Sequence, residues 1–441
     1  MAKVHFIGIG GIGTSALAQY YLSEGYGVSG SDLVASDITE FLEKKGVEIQ
    51  TGGEFENLID ESLEKVIYTS SVEEDNLELQ KANSLGVKTL KYAEALGELT
   101  QKYTTLAVSG THGKSTTTSM LAMILVEAGL DPTVIVGTRL PEFGGSNFRK
   151  GEGEYLVIEA DEYDRAFWNY RPKITVVTNI DKDHLDTYGD INGVVDGFNQ
   201  YLKNLSSESI AIMNSQNKYT ERAIMGVSCR LAFFNEKGIS LDWPLSLPGK
   251  FNQLNAEAAW QVAKLIGIER NTAFTAFQKF KGVWRRLEPL EPNERSYPED
   301  TLFFSDYGHH PTEVKSTLEG LREKYPNQKI TIIFQPHQVR RLTNVFGEFI
   351  EAFDDADVVC LLPVYEVAGR EDLVGKSSKD LYETISERNE RLDKEQKIYY
   401  KESLEDSLAF INGGIVIFMG AGDIDSSVRK YFKSKLLSKK E

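Results

Sequence analysis

The stretch Thr105-Leu106-Ala107-Val108-Ser109-Gly110-Thr111-His112-Gly113-Lys114-Ser115-Thr116-Thr117 joins a short apolar run to a helical pattern through a loop of glycines, hydroxyls and one lysine. Residues 105–108 read as a buried strand, and 115–128, stopped by Gly129, as a long helix. A strand that opens into a helix through Gly-Lys-Ser is a phosphate loop. Its glycines expose backbone amides to phosphate oxygens, Lys114 reaches the outer phosphates, and the Ser115 hydroxyl is offered to Mg²⁺. The general pattern places a glycine where this chain has Val108, and Gly110 supplies the turn instead.

The same alternation of short β-branched runs and longer helical patterns extends in both directions. Strands are expected at 4–7, 28–31, 66–69 and 87–90, then at 155–159, 174–178 and 210–213, then at 302–305, 330–334, 358–362 and 415–419. This rhythm predicts an α/β fold of parallel sheets. With 441 residues, 41% of them hydrophobic, the chain is long enough for about three domains of about 150 residues. Boundaries are expected near residue 100 and near Gly282, where a helical pattern ends and Pro289, Pro292 and Pro298 follow. The lysine-rich end, 433–440, reads as a solvated helix terminus.

Composition narrows the function. A net charge of −17, from 66 acidic and 49 basic residues without a long basic run, argues against nucleic acid but leaves anionic metabolites open. Cys229 and Cys360 are too few for a disulfide framework or a cysteine metal site, which fits a reducing cytoplasm. No apolar run approaches the roughly 18 residues of a membrane span, so membrane insertion is not expected.

Polar residues gather where strands end, the positions that line ligand crevices in open α/β sheets. Gly8-Ile9-Gly10-Gly11-Ile12-Gly13 fits a strand–turn–helix diphosphate site, and Asp32 closes the second strand, as in NAD or sugar-nucleotide binding. Taken alone, this turn leaves an NAD-dependent oxidoreductase open. Glu159-Ala160-Asp161-Glu162 ends another strand beside the phosphate loop and suits a hard cation, with His184 near the same rim. Asn252 and Asn255 share one helix face and suit the edge of an adenine, with helix capping by Asn252 as the competing reading. Arg285-Arg286 sits at the second boundary, Asp306-Tyr307 and Gln335-Pro336-His337 end strands, and Arg340 or Arg341 would bind a small carboxylate.

Together these motifs resemble the ATP-dependent Mur ligases of peptidoglycan synthesis, and the resemblance covers nearly the whole chain. It rests on GIGGIG from Gly8, GTHGKST from Gly110, EADEYDRAF from Glu159, TNIDKDHLDTY from Thr178, GVWRRLE from Gly282, DYGHHPTE from Asp306, FQPH from Phe334 and MGAGDI from Met419. It implies a Rossmann-like UDP-sugar domain over 1–100, a central ATP-binding sheet domain over 101–284 and a Rossmann-like amino-acid domain over 285–441. Gly10, Gly11, Ile12, Gly13, Ser31, Asp32 and Ser71 would then hold the UDP-sugar. Gly110, Thr111, His112, Gly113, Lys114, Ser115, Thr116, Asn252, Asn255, Arg286 and Asp306 would hold ATP.

Mg²⁺ would fall to Ser115, Glu159 and His184, catalysis to Lys114, Glu159 and His184, and the amino acid to Tyr307, His337 and Arg341. The implied substrates are UDP-N-acetylmuramate, ATP and L-alanine, coupled through an acyl phosphate in a cytoplasmic monomer or weak homodimer. A recycling ligase that attaches a tripeptide shares most of the motifs. Phe251 and Gln338 depart from the family's usual histidine and arginine.

Overall fold

The computed structural model describes residues 2–237, 241–292, 297–366, 374–409 and 411–434, so the lysine-rich end beyond 434 lies outside the described residues. Three sheets follow one another along the chain. The first is wholly parallel, β1 (Lys3–Ile7), β2 (Gly27–Asp32), β3 (Glu48–Thr51), β4 (Leu63–Tyr68) and β5 (Lys88–Lys91), in the order β3-β2-β1-β4-β5. The order reverses at β1, which opens a crevice at the carboxyl end of that strand, where the Gly8 to Gly13 turn lies.

The second sheet comprises β6 (Thr104–Ser109), β7 (Thr133–Leu140), β8 (Ser146–Arg149), β9 (Tyr155–Glu159), β10 (Ile174–Val177), β11 (Ile210–Asn214) and β12 (Arg230–Phe234). Its order is β12-β11-β10-β6-β9-β7-β8, parallel except for β8 against β7. The phosphate loop leaves β6, between β10 and β9, and enters helix Lys114–Glu127. Every residue of that helix from Thr116 to Leu125 is buried, as expected of a helix enclosed on all sides.

The third sheet holds β13 (Glu288–Leu290), β14 (Leu302–Asp306), β15 (Ile330–Phe334), β16 (Val358–Leu361), β17 (Lys397–Tyr400) and β18 (Ile415–Met419). Its order is β13-β14-β18-β15-β16-β17, with β13 antiparallel. The expected α/β architecture is therefore present in all three sheets. The chain divides into two units, one of residues 1–244 and 253–281 carrying the first two sheets, the other of 245–252 and 282–441 carrying the third. No helix among the described residues is long and apolar enough to cross a membrane.

Within the first unit, a buried polar seam ties helix Ile12–Ser23 to β8. The Asn147 amide donates to the Ile12 carbonyl and to Ser15 Oγ (2.9 Å), and it accepts from Gln19 (2.8 Å). Gln19 Oε1 in turn accepts from Ser146 (3.0 Å) and Lys45 (2.9 Å). Asn147, Gln19, Ser15 and Ser146 are all buried, so an unmatched partner would keep its desolvation penalty. Asn147→Ala is expected to cost about 1–3 kcal/mol, read as a lowered urea midpoint. An unchanged midpoint would show that the seam contributes nothing.

Candidate active site

The phosphate loop is braced by the residues that follow β10. Thr111 N–H donates to the Asn179 carbonyl (3.0 Å), His112 N–H to Asn179 Oδ1 (2.9 Å), and the Thr178 hydroxyl and Asn179 amide both donate to the His112 carbonyl (2.7 and 2.9 Å). Gly110 has φ +129°, and a methyl there would collide with the Thr178 hydroxyl, so this turn requires glycine. Gly113 caps helix Lys114–Glu127 in a left-handed conformation, and the first amides of the helix have no partner inside it. The result is a cradle with partial positive charge, suited to phosphate.

Carboxylates face that cradle. Glu159, at the end of β9, accepts from Ser115 Oγ (3.1 Å) and from Gly137 N–H on β7 (2.9 Å). Lys114 Nζ donates to Glu162 Oε2 at 2.7 Å and lies 3.5 Å from Asp161 Oδ1. Burial opposes a charged Lys114, but Glu162, Asp161 and Glu159 outweigh it and hold the ammonium well above its ordinary pKa. Burial pushes the Glu159 carboxyl up, and it pushes the Glu162 carboxyl up to about 7 against the pull of Lys114. At Asp161 burial is outweighed by Lys114 and His184, so that carboxyl sits below its usual range.

His184 stands in a left-handed backbone conformation with Nε2 3.8 Å from Glu162 Oε1. The Glu162 oxygen is buried and has no hydrogen-bond partner. The ligand atoms of Asp161, Glu162 and His184 lie within 4.8 Å of one another. An orphaned carboxylate oxygen beside a second carboxylate and an imidazole is a donor set that fits a hard divalent cation. The expected cation set was Ser115, Glu159 and His184; here Ser115 hydrogen-bonds Glu159, and the close neighbours of His184 are Asp161 and Glu162. Asp161 and Glu162 belong to the acidic stretch that the sequence offers to a hard cation, whereas the bracing role of Asn179 was not singled out from sequence.

The glycine turn needs a larger correction. Gly8 and Ile9 N–H donate to the Ser31 carbonyl, and Gly10 N–H is taken by Asp32 Oδ2 at 2.8 Å. Asp32 therefore holds the turn, and the Gly10 amide is spent on it. The Ser31 hydroxyl is buried and donates to Glu78 (2.9 Å), while Ser71 is exposed with its amide bonded to Thr69 Oγ1. Gly11, Ile12 and Gly13 do line a cavity of about 490 Å³, with Ser70 rather than Ser71 on its wall and Glu159 and Asp161 at the same space. Tyr92, the first residue of helix Tyr92–Thr100, also lines it, and sequence reasoning passed it over.

The proposed adenine pair is not equivalent. The Asn252 side chain is buried and donates to the Pro248 carbonyl (2.7 Å) as a local brace within the second unit. Asn255 is buried in the first unit, packed so closely on Gly113 that a methyl there would strike its amide.

In the second unit, Asp306 at the end of β14 accepts from Leu287 N–H (2.8 Å) and Gly308 N–H (2.7 Å). Arg286 pairs with Glu313 at 3.0 Å and lies over the Tyr307 ring. His337 stacks on Tyr365 and is joined to Arg341 through Nδ1 at 3.2 Å, so these amino-acid-side candidates do meet. Arg285 is buried and donates to the carbonyls of Gly420 and Gly422, which ties the turn after β18 to the start of this unit.

Burial pushes the Asp306 carboxyl up to about 6, opposed by Arg286 and its two amide donors. A carboxyl raised on folding contributes stability that is fully present below its unfolded value near 4 and is lost as pH climbs through 6. The shift corresponds to about 3 kcal/mol. Denaturation midpoints of the protein and of Asp306→Asn should therefore diverge in slope between pH 4 and 6, the native residue losing stability there. Parallel profiles would refute the raised carboxyl.

Three family descriptions match the chain: the Mur ligase family catalytic domain over residues 3–104, the Mur ligase middle domain over 108–238, and the Mur ligase glutamate ligase domain over 285–422. The chain is 36% identical to a UDP-N-acetylmuramate–L-alanine ligase of Hydrogenobaculum sp., covering 98% of both chains. It is 35% identical to the protein of that name from Aquifex aeolicus, covering 99% of this chain and 98% of the relative. Among solved structures, the UDP-N-acetylmuramate–alanine ligase of Thermotoga maritima superposes with a TM-score of 0.80 at 27% identity, covering 99% of this chain and all of the other. A murein peptide ligase from Psychrobacter arcticus shares the fold, with a TM-score of 0.69 at 23% identity over 99% of this chain and 98% of its own.

Proposed function

The chain belongs to the Mur ligase family, and from that premise we propose that it is the cytoplasmic ATP-dependent ligase that joins L-alanine to the lactyl carboxylate of UDP-N-acetylmuramate in peptidoglycan synthesis. One observation carries the reading. The cavity bounded by Gly11 to Gly13 is also walled by Glu159, the carboxylate that accepts from Ser115 of the phosphate loop. A sugar nucleotide whose diphosphate meets the helix end at Gly13 thus places its acid group toward the phosphate cradle.

A carboxylate does not condense with an amine in water until one of its oxygens becomes part of a good leaving group. A lactyl oxygen attacks the γ-phosphorus of ATP, the bond to the β-phosphate oxygen breaks, and ADP departs from an acyl phosphate. The Lys114 ammonium stabilises charge on the transferred phosphoryl, and the amides of Gly113 to Ser115 hold the neighbouring oxygens. The alanine amine then attacks the acyl carbon, phosphate leaves, and the nitrogen loses a proton to give the amide. Mg²⁺, held by Ser115, Glu159 and His184 together with Asp161 and Glu162, would neutralise phosphate charge when bound. Tyr307, His337 and Arg341 are assigned to alanine, and Arg286, Asp306 and Asn255 to ATP.

An oxidoreductase use of the glycine turn leaves the Lys114 cradle without a task. ADP release measured with UDP-N-acetylmuramate, ATP and a panel of amino acids tests the proposal. Turnover with L-alanine supports it, whereas turnover restricted to a muropeptide tripeptide assigns the chain to recycling and overturns it.

A further inference from the structure

The wall of the 490 Å³ cavity holds a polar group that no step above employs. Tyr92 opens helix Tyr92–Thr100, whose start is fixed by the Lys91 N–H donating to Glu94 at 2.7 Å. From that first position the phenol end of Tyr92 reaches across to Gly13. A methyl group built on Gly13 would lie 2.8 Å from Tyr92 Cζ and 2.9 Å from its hydroxyl oxygen. Gly13 thus has a second reason to be glycine, since any side chain there would expel the phenol. The ring is partly buried, and its hydroxyl has no hydrogen-bond partner among the described residues.

The surroundings say what such a donor could meet. The cavity is lined by the amides of the Gly11 to Gly13 helix end, which suit a diphosphate. It is also lined by Glu159 and Asp161, two acids that cannot receive a further anion unless a donor or cation accompanies it. The phenol packs on Gly13 and stands in the field of both acids. A neutral hydroxyl supplies a hydrogen bond there, and burial beside the two acids keeps its proton in place. A diphosphate already satisfied by the glycine turn leaves one anionic group of the acceptor to be held.

We infer that Tyr92 is a substrate-binding residue whose hydroxyl donates to the lactyl carboxylate of the acceptor sugar nucleotide and orients it toward the phosphate cradle. The inference rests on the reading of the acceptor as UDP-N-acetylmuramate. It adds to that reading a residue that selects for the acid-bearing sugar over the same sugar nucleotide without the lactyl group.

Tyr92→Phe tests it, because the ring keeps its packing on Gly13 and no internal hydrogen bond is lost. Calorimetric titration of the full-length protein without ATP would compare UDP-N-acetylmuramate with UDP-N-acetylglucosamine, which lacks the lactyl carboxylate. A hydrogen bond to a charged group is worth about 10- to 100-fold in affinity. The expected result is that loss for UDP-N-acetylmuramate alone, with UDP-N-acetylglucosamine binding unchanged and an unaltered thermal midpoint. Equal weakening of both ligands, or no change for either, overturns the assignment of Tyr92 while native binding of UDP-N-acetylmuramate leaves the wider reading standing. If the native protein fails to bind UDP-N-acetylmuramate, that reading falls and the Tyr92 assignment falls with it.

Discussion

Lys114→Ala is expected to lower turnover about 1000-fold, equivalent to about 4 kcal/mol of transition-state stabilisation, while UDP-N-acetylmuramate binds as before. In the proposed mechanism the ammonium is the cation presented to the transferred phosphoryl, and it is oriented by Glu162 at 2.7 Å and Asp161 at 3.5 Å. Arginine is not an equivalent replacement, because its planar fork cannot occupy the site of a compact point charge at the mouth of a glycine loop. The change also deprives Glu162 of the charge that restrains its pKa, so this carboxyl should become still harder to ionise. ADP release and sugar-nucleotide titration on the same preparation decide the matter. Turnover within tenfold of the native enzyme would remove Lys114 from the chemistry.

Glu78→Ala should be the most damaging substitution for folding. Glu78 and His5 are both fully buried, with His5 Nε2 2.7 Å from Glu78 Oε2, and His5 Nδ1 meets Ser29 Oγ at 2.9 Å. The same carboxylate accepts from Ser31 Oγ (2.9 Å) and from Phe55 N–H (3.0 Å). Burial raises this carboxyl, but the bonds from His5, Phe55 and Ser31 outweigh it and leave it below its ordinary value. Its contribution is therefore present above the unfolded carboxylate pKa and fades as pH falls through the lower folded value.

Truncation leaves a buried imidazole, a buried hydroxyl and a partly buried amide without their acceptor, a loss of about 3–5 kcal/mol. Glu78→Gln, which keeps one acceptor oxygen, should lose less. Urea denaturation of the three proteins at neutral pH would show this order. A midpoint for Glu78→Ala equal to that of the native protein would contradict the network. Because Ser31 precedes Asp32, which holds the Gly10 amide, the damage should extend to sugar-nucleotide affinity.

The sequence made the centres of the sheets legible and hid most of their edges. Strands such as Tyr155–Glu159, Ile330–Phe334 and Ile415–Met419 are buried between neighbours on both sides, and their unbroken apolar runs state this directly. Those left out are β3, β8, β12, β13 and β17, each at the edge of its sheet, and the interior β7, whose apolar run directly follows Pro132. An edge strand such as Glu-Ile-Gln-Thr in β3 keeps polar side chains and carries little periodic signal.

The phosphate loop was readable because all its parts are contiguous in the chain. Asn179 and Tyr92 meet partners brought by other strands and helices, so nothing in their own neighbourhood of sequence announces the contact. Asp32 shows the opposite case. Its place in a dinucleotide pattern suggested a ligand contact, whereas its carboxylate is turned inward onto Gly10.

The burial of helix Lys114–Glu127 changes how inactive variants of this protein should be interpreted. Thr117, Thr118 and Ser119 are polar, close in sequence to Lys114 and wholly enclosed. A genetic screen would recover many defective alleles among them. The hydroxyls of Thr118 and Ser119 return to the carbonyls of Lys114 and Ser115, within the helix itself. Such alleles would report failure of the mounting that carries the loop, and scoring them as reagents of phosphoryl transfer would credit the casing with the work of the tool.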